Sequence, residues 1–278
     1  MKVADIFEVE RCQLVEPSFA ELTVDACTIL LLQAAPDEAR LLVDEEEEPI
    51  ALALHDERGW RAASFLFREP MLAAIECFEA VGGDIYQESR EVWLSAVREY
   101  YSTELSKITI PALEDLRPDR QGKIRDLLDE VWGDRAGTPC LDCCCGSGVG
   151  TAALRAGGVR ALAYDNDPGL LALGLSKGRL VPSDTMCIDA REASRYVAPA
   201  PLGAAFMVGE IYSYNTALWQ AIVGDLLALT DETLITVGTQ EEAARVEEWC
   251  TQDGRTTEVF ENRRDPLYDR WCCVAQRA

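Results

Sequence analysis

The stretch TPCLDCCCGSGVGTAALRAGGVRALAYDNDP, residues 138–168, decides the fold of the C-terminal half of the chain. Its segment from Cys140 to Cys145 is apolar except for Asp142, which is typical of a strand buried on both faces of a parallel sheet. The three glycines of GSGVG follow at once. Glycines at this place allow a sharp turn and a close approach of a ligand to the backbone. The stretch therefore predicts a strand, a glycine loop and a helix.

A second strand, Arg160 to Tyr164, follows that helix, and Asp165 stands at its carboxyl end. An acidic residue about twenty positions after a glycine loop is placed to accept hydrogen bonds from the hydroxyl groups of an adenosine ribose. We therefore predict a nucleoside-binding site that includes Gly146, Gly148 and Asp165.

The spacing of the glycines separates two classes of nucleoside cofactor. Dinucleotide-binding folds need G-x-G-x-x-G, so that the amino end of a helix meets the pyrophosphate. Here the spacing is G-S-G-V-G, and Asp142 lies four positions before the first glycine. A carboxylate beside the loop repels a pyrophosphate but attracts the ammonium group of a methionine moiety. The pattern therefore favours S-adenosylmethionine over a dinucleotide.

The motif LDCCCGSG, the acid Asp165 and the segment CIDARE at residues 187–192 resemble the class I, seven-stranded S-adenosylmethionine-dependent methyltransferases. The resemblance covers about half of the chain. In one position the chain departs from the family, because the usual first loop glycine falls on Cys144, where we expect the side chain to narrow the allowed backbone angles. The cofactor-binding residues that the pattern and the resemblance together imply are Asp142, Cys144, Gly146, Gly148, Asp165, Asn166, Asp189 and Ala190.

Strands and helices continue to alternate after the second strand. The last two predicted strands, Arg255–Glu261 and Arg270–Ala275, have no helix between them, so a short loop joins them and they must be antiparallel. In a dinucleotide-binding fold, the last strands would be expected to be parallel like the others. We therefore predict an α/β fold, a Rossmann-like doubly wound sheet of seven strands with an antiparallel last strand, as in the resembling family.

The N-terminal half of the chain is predicted as a separate region. We expect residues 1–136 to form a mostly helical cap or substrate region and residues 137–278 to form the cofactor-binding domain. Within the first region, Pro36–Val43 is predicted as a helix and residues 52–67 as two short strands. A long amphipathic helix is predicted to begin at Asp84, with Gln87 completing a capping box.

The segment FMVGEIYSYN, residues 206–215, follows the fourth predicted strand, Ala204–Val208. Ligands of such sheets bind outside the carboxyl ends of the strands, where the strand order reverses. Glu210 is the candidate to orient an amine-like acceptor and to accept its proton, and Tyr212 is the candidate to shape the pocket. We therefore predict Glu210 and Tyr212 as the catalytic residues.

We do not expect histidine or cysteine side chains to take part in catalysis or in metal binding. His55 is the only histidine, so the chain cannot form a histidine-based triad or a metal centre with several histidines. Cys140 and Cys143 form a C-x-x-C motif, but they lie within a predicted strand and point to opposite faces of it. We predict no metal site and expect the eleven cysteines to be reduced thiols.

The chain is strongly acidic, with a formal net charge of −23. Residues 1–136 hold 30 acidic and 14 basic residues, and residues 137–278 hold 19 and 12. An acidic surface repels phosphate backbones, which argues against a nucleic-acid partner. We expect a neutral or cationic methyl acceptor, either a protein side chain or a small molecule. No secretory signal or long apolar run is apparent, so we expect no membrane partner and a cytoplasmic location. The oligomeric state stays open.

Three functions are compatible with these patterns. The first is an S-adenosylmethionine-dependent methyltransferase. The second is an S-adenosylmethionine-binding protein without catalytic activity, an alternative that the departure at Cys144 keeps open. The third is an NAD(P)-dependent oxidoreductase, which the glycine spacing and the antiparallel end of the sheet disfavour.

Overall fold

The computed structural model of the protein describes residues 1–33, 35–114 and 116–277, and Ala34, Asp115 and Ala278 lie outside the described residues. The chain divides into two compact units, Met1–Glu104 and Leu105–Ala278. This division differs from the boundary expected after residue 136. Within the described ranges, no helix is both long enough and apolar enough to cross a membrane.

The first unit combines a sheet with short helices. Its strands are β1 (Cys12–Leu14), β2 (Glu38–Val43), β3 (Pro49–Asp56), β4 (Gly59–Ser64) and β5 (Asp84–Gln87). Its helices are α1 (Val3–Ile6), a 3-10 turn (Phe19–Glu21), α2 (Ala26–Leu32), α3 (Leu72–Val81) and most of α4 (Arg90–Ile108), which ends in the second unit. In the described part of this unit, the strands form one sheet in the order β1-β4-β3-β2-β5.

The prediction of a mostly helical N-terminal region missed this sheet. The two strands expected within residues 52–67 are confirmed as parts of β3 and β4, but the helix expected over residues 36–43 is wrong. That segment is the strand β2, paired on one side with β3 and on the other with β5. The capping box expected at Asp84 is wrong as well, because this residue opens β5 and the helix begins only at Arg90. Sheet pairing across distant segments overrides the local helical pattern in both places.

The second unit alternates strands and helices. Its strands are β6 (Pro139–Cys143), β7 (Arg160–Asp165), β8 (Thr185–Cys187), β9 (Ala200–Ala205), β10 (Thr230–Val237), β11 (Arg255–Glu261) and β12 (Trp271–Arg277). Its α-helices are α5 (Arg120–Val131), α6 (Val149–Ala156), α7 (Pro168–Ser176), α8 (Thr216–Leu229) and α9 (Gln240–Gln252). Two 3-10 helices, Pro182–Asp184 and Ala190–Arg195, flank β8.

The strands of the second unit form one sheet. Over the described residues its order is β11-β12-β10-β9-β6-β7-β8. The pairs β6·β7, β6·β9, β7·β8 and β9·β10 are parallel, whereas β12 is antiparallel to both β10 and β11. The predicted α/β fold, a doubly wound sheet with an antiparallel last strand, is therefore confirmed. The strand order reverses at β6, which lies between β7 and β9.

Helices cover both faces of this sheet. Leu127 of α5 and Leu154 of α6 share a buried core with Leu202 of β9. The next strand residue, Gly203, faces the opposite side, where Leu226 of α8 approaches it. Successive residues of a strand point to opposite faces, so a strand covered on both faces must be apolar throughout. This explains why β6 and β9, read as sequence, are apolar almost throughout rather than alternating.

The close packing of α8 on β9 predicts opposite effects of two glycine substitutions. A Cβ atom on Gly203 would lie 2.8 Å from Cγ2 of Thr230, whereas a Cβ atom on Gly224, within α8, would meet nothing within 4 Å. We expect Gly203→Ala to lower the free energy of unfolding by about 1–3 kcal/mol through overpacking. We expect Gly224→Ala to raise it by about 0.4–1 kcal/mol, because alanine favours the helix and restricts the unfolded chain. Urea denaturation of both variants would measure the effects, and equal signs would contradict the described packing.

Candidate functional site

A cleft of about 690 Å³ lies at the carboxyl ends of β6, β7, β8 and β9. The strand order reverses here, which is where open α/β sheets bind their ligands. All of the residues that form its wall belong to the second unit: Leu113, Glu114, Leu116, Arg120, Asp142, Cys144, Cys145, Gly146, Ser147, Val149, Gly150, Asp165, Asn166, Asp167, Leu170, Leu173, Asp189, Ala190, Arg191, Phe206, Met207, Gly209, Leu218, Trp219 and Ile222.

The loop between β6 and α6 forms the floor of the cleft. Cys144, Gly146 and Gly148 have positive φ angles of 53°, 53° and 73°. A left-handed conformation costs a residue with a side chain about 1–3 kcal/mol, but it costs glycine almost nothing. Cys144 therefore adopts the conformation that a glycine would favour at this position. The side chain does not prevent the left-handed turn, although it makes the turn energetically more costly.

Asp142 is the most unusual group in the wall of the cleft. Its side chain is buried at the end of β6, and its Oδ2 accepts a hydrogen bond of 2.5 Å from Oγ1 of Thr151. Its other oxygen, Oδ1, is buried and has no hydrogen-bond partner in the described structure. Burial raises the pKa of Asp142 to about 7, and the charge of Asp165 adds to the rise. A buried acceptor without a partner costs free energy, which a donor supplied by a ligand would recover.

Asp165 fixes the glycine loop to the end of β7. Its Oδ2 accepts a hydrogen bond of 2.8 Å from the backbone N–H of Gly146, and its Oδ1 accepts one of 2.8 Å from the backbone N–H of Asp167. Burial raises the pKa of Asp165, and the backbone hydrogen bonds partly oppose that rise. Each carboxylate oxygen has a second lone pair, so both retain the capacity to accept another hydrogen bond.

Asp189 and Ala190 lie in the cleft wall after β8, and Asn166 lies there after β7. Asp189 caps the 3-10 helix Ala190–Arg195 by accepting a hydrogen bond of 2.9 Å from the backbone N–H of Arg191. Its carboxylate also binds the guanidinium of Arg191, and this hydrogen bond lowers the pKa of Asp189. Asp189 is therefore ionised, and Arg191 uses part of the capacity of its carboxylate to accept hydrogen bonds.

Three of the predicted site residues are not in the cleft wall. Gly148 supports the loop from outside, since a Cβ atom there would lie 2.6 Å from Leu180, and it caps the start of α6. Glu210 and Tyr212 follow the last wall residue of their segment, Gly209, and both are exposed. The Tyr212 hydroxyl donates a hydrogen bond to Oε2 of Glu210. The catalytic role of this pair stays a prediction.

The wall of the cleft also contains apolar residues that were not among the predicted site residues. Phe206, Met207 and Trp219 supply a broad apolar surface, and Met207 has a positive φ of 57°. Its backbone N–H donates a hydrogen bond of 2.7 Å to Oγ1 of Thr236, which holds the strained residue in place. Strained backbone of this kind tends to occur at functional sites. The segment 206–215 was expected near the ligand, but the periodicity contained no signal for Trp219.

Arg120 is another residue of the cleft wall that the sequence did not identify. Its Nε and Nη2 donate hydrogen bonds of 2.9 and 3.2 Å to the carboxylate of Asp269, and its guanidinium lies 5.0 Å from the ring centroid of Tyr268. Both members of the ion pair are buried. No local pattern could predict this pair, because 149 positions of sequence separate the two residues.

The cysteines near the cleft have the character of packing residues. Burial raises the pKa of Cys145 and Cys187, and the neighbouring thiol of Cys143 together with burial raises that of Cys144. These thiols therefore stay protonated. In the described parts of the chain, no group of three or more histidine, cysteine or acidic side chains is arranged to hold a metal ion.

Comparisons with known proteins found methyltransferases of similar fold. Neither family models nor curated protein sequences gave a match. One similar solved structure is the magnesium protoporphyrin IX methyltransferase of Synechocystis PCC 6803 with bound SAM, at 15% identity and a TM-score of 0.47, covering 66% of this chain and 97% of that chain. A TehB-like SAM-dependent methyltransferase of Corynebacterium glutamicum has 16% identity and a TM-score of 0.43, covering 56% and 88%. An rRNA methylase of Streptococcus thermophilus has 18% identity and a TM-score of 0.41, covering 59% and 99%. At these identities the similarity concerns the fold alone.

The raised pKa of Asp142 predicts a pH-dependent effect of Asp142→Asn on stability. The folded state favours the protonated carboxyl of Asp142. The contribution of this group to the stability of the fold is therefore fully present below its pKa in the unfolded chain, near 4, and is lost as the pH rises through about 7. The asparagine variant has no such group. Relative to the unsubstituted protein, we expect it to gain roughly 2–4 kcal/mol of unfolding free energy between pH 4 and pH 8. Urea denaturation at several pH values would measure this, and a difference independent of pH would contradict the environment described for Asp142.

Proposed function

We propose that the cleft binds S-adenosylmethionine and that the protein is a methyltransferase. The observation that carries the proposal is the buried, unpartnered Oδ1 of Asp142, which lies in the cleft wall beside the glycine loop. An ammonium group is the ligand group that best satisfies such an oxygen, because it brings both a hydrogen-bond donor and a positive charge. A pyrophosphate would bring only acceptors and negative charge.

The remaining polar groups fit the other parts of the same molecule. Asp165 has free lone pairs for the ribose hydroxyls, and it is already fixed by the loop that it anchors. Asp189 is the acceptor for the exocyclic amino group of adenine, and Ala190 leaves room for the base beside it. The apolar side chain of Ile222 suits the face of a purine ring. Asn166 stands at the rim as a further donor and acceptor.

When bound, the cofactor supplies a sulfonium-activated methyl group. The residues of the chain then have to hold it, exclude water and align the acceptor, because methyl transfer depends mainly on alignment. In our proposal, Phe206, Met207 and Trp219 exclude water from the reacting end of the cleft. Glu210 orients the acceptor from the rim and takes its proton where one is lost. Tyr212 donates its hydroxyl hydrogen to Glu210, and this hydrogen bond raises the pKa of Tyr212, so the tyrosine is a donor rather than a base.

The acceptor that suits these surroundings is neutral or cationic. Asp142, Asp165, Asp167 and Asp189 make the cleft acidic, and Glu210 adds a carboxylate beside it. Such a field attracts cations and repels phosphate. Both a protein side chain and a small molecule meet this condition.

Two other functions compete with this proposal. A binding protein without activity would hold the cofactor by the same residues, so it differs only in the absence of transfer. An NAD(P)-dependent oxidoreductase would need to bring a pyrophosphate beside Asp142 and Asp165, and the glycine loop lacks the G-x-G-x-x-G spacing for it. We therefore favour the methyltransferase.

Substitution of the ribose acceptor tests the proposed orientation of the cofactor. We expect Asp165→Ala to weaken the binding of S-adenosylhomocysteine by about 1.5–3 kcal/mol, the range for hydrogen bonds to a charged group. Asp126→Ala serves as the control, because Asp126 is exposed on α5 and lies outside the cleft wall. Calorimetric titration of both variants would measure the change. Unchanged affinity in Asp165→Ala would mean that the ribose binds elsewhere.

Methyl transfer itself is tested by labelling. We expect the protein, incubated with S-adenosylmethionine labelled on its methyl group in a lysate of its source organism, to transfer label to the protein or small-molecule fraction. Since an rRNA methylase has a similar fold, the nucleic-acid fraction should be collected as well. Label in nucleic acid would contradict the charge argument for the acceptor. Binding of the cofactor without any transfer would favour the inactive binding protein.

A further inference from the structure

The proposed function leaves one charged group of the cleft unexplained. Arg120 lies in the cleft wall although it is buried, with a relative exposure of only 6%. A buried guanidinium is energetically costly, and it is normally retained only where its hydrogen-bonding nitrogens have partners. Two of its three nitrogens bind Asp269. Nη1 has no hydrogen-bond partner among the described residues.

The orientation of Arg120 is fixed by a network of side chains. Asp269 accepts hydrogen bonds both from Arg120 and from Oγ1 of Thr236, the latter at 2.6 Å. Oγ1 of Thr236 in turn accepts a hydrogen bond from the backbone N–H of Met207, another residue of the cleft wall. The ring of Tyr268 covers one face of the guanidinium. Arg120 is therefore held by the segment just before β12, and Thr236 of β10 fixes the carboxylate of that segment in turn.

The other cationic residues of this region are already engaged. Arg191 lies in the wall, but its guanidinium is bound by the carboxylate of Asp189. Arg179, next to the loop, is bound by Glu114 at 2.5 Å. Nη1 of Arg191 is also without a hydrogen bond, but the Arg191 side chain is 52% exposed and water can solvate it. Among the described residues of the cleft wall, Arg120 is thus the buried cation with a nitrogen left for a ligand.

We propose that Nη1 of Arg120 binds the α-carboxylate of the methionine moiety of the cofactor, while Oδ1 of Asp142 binds its α-ammonium group. Both residues lie in the same cleft wall and carry opposite charges. Oδ1 of Asp142 is buried without a partner, and Arg120 uses only Nε and Nη2 in its hydrogen bonds with the described residues. An α-amino acid group is the ligand that carries both complementary charges within one small unit. The inference rests on the proposed function and adds to it a binding residue that neither the sequence nor the comparisons identified.

The experiment compares two ligands that differ only in the carboxylate. S-adenosylhomocysteine carries it, and S-adenosyl-3-thiopropylamine lacks it but keeps the ammonium group. In the unsubstituted protein we expect S-adenosylhomocysteine to bind about ten- to a hundredfold more tightly, the range for a charge-assisted hydrogen bond. In Arg120→Gln we expect the two dissociation constants to become equal within about threefold.

Two further variants make the result interpretable. Arg125→Gln is the matched control, because Arg125 lies on the same helix outside the cleft wall and pairs with Asp129. It should discriminate between the ligands as the unsubstituted protein does. Arg120→Gln leaves the buried Asp269 without its cation and could unfold the protein. Arg120→Lys keeps the charge and should retain part of the discrimination, which gives the test a second folded variant.

The outcomes separate this inference from the proposed function. Equal binding of both ligands by the unsubstituted protein would mean that the assignment of Arg120 is wrong. The same conclusion would follow if Arg120→Gln and Arg120→Lys discriminated between the ligands as fully as the unsubstituted protein. In both cases the proposed cofactor binding would stand. If neither ligand binds, and 5′-methylthioadenosine, which lacks the whole amino acid group, does not bind either, the proposed function itself fails. Discrimination lost in Arg120→Gln and kept in Arg125→Gln would support the inference.

Discussion

The structure of the cleft depends on one constraint, the burial of the Asp142 carboxylate at the end of a central strand. A strand covered on both faces has no access to water, so a charged group there must find partners within the protein or from a ligand. Thr151 satisfies one oxygen, and the other is left without a partner. Burial raises the pKa of Asp142 to about 7. The oxygen without a partner retains the capacity to accept a hydrogen bond, which a cationic donor would satisfy best.

The rest of the cleft is built around that group by elements from distant parts of the sequence. The loop after β6 turns by left-handed residues and is tied to β7 through Asp165. On the other side, Asp269 before β12 joins Arg120 of α5 to Thr236 of β10. The antiparallel last strand thus lies between β10 and β11, and the segment just before it supplies the carboxylate that binds Arg120.

The sequence was most informative where neighbouring residues determine the structure. The strand, loop, helix and second strand of residues 138–168 were predictable because apolar runs, glycines and a strand-end acid leave few alternatives. The strand β2 was predicted as a helix, since its pairing with β3 and β5 is set by segments far along the chain. Arg120 and Trp219 were missed for the same reason, because their roles depend on distant residues. Gly148 lies outside the cleft wall and packs close to Leu180, so its predicted part in cofactor binding stays a prediction.

The measurement that tests the account most directly is a calorimetric titration of the protein with S-adenosylhomocysteine and, separately, with NAD. The central claim is that the cleft is selective for a nucleoside with an α-amino acid group, which supplies an ammonium donor, over one with a pyrophosphate. We expect saturable binding of S-adenosylhomocysteine at one site and no binding of NAD at the same concentrations. Binding of NAD, or a failure of S-adenosylhomocysteine to bind, would contradict it.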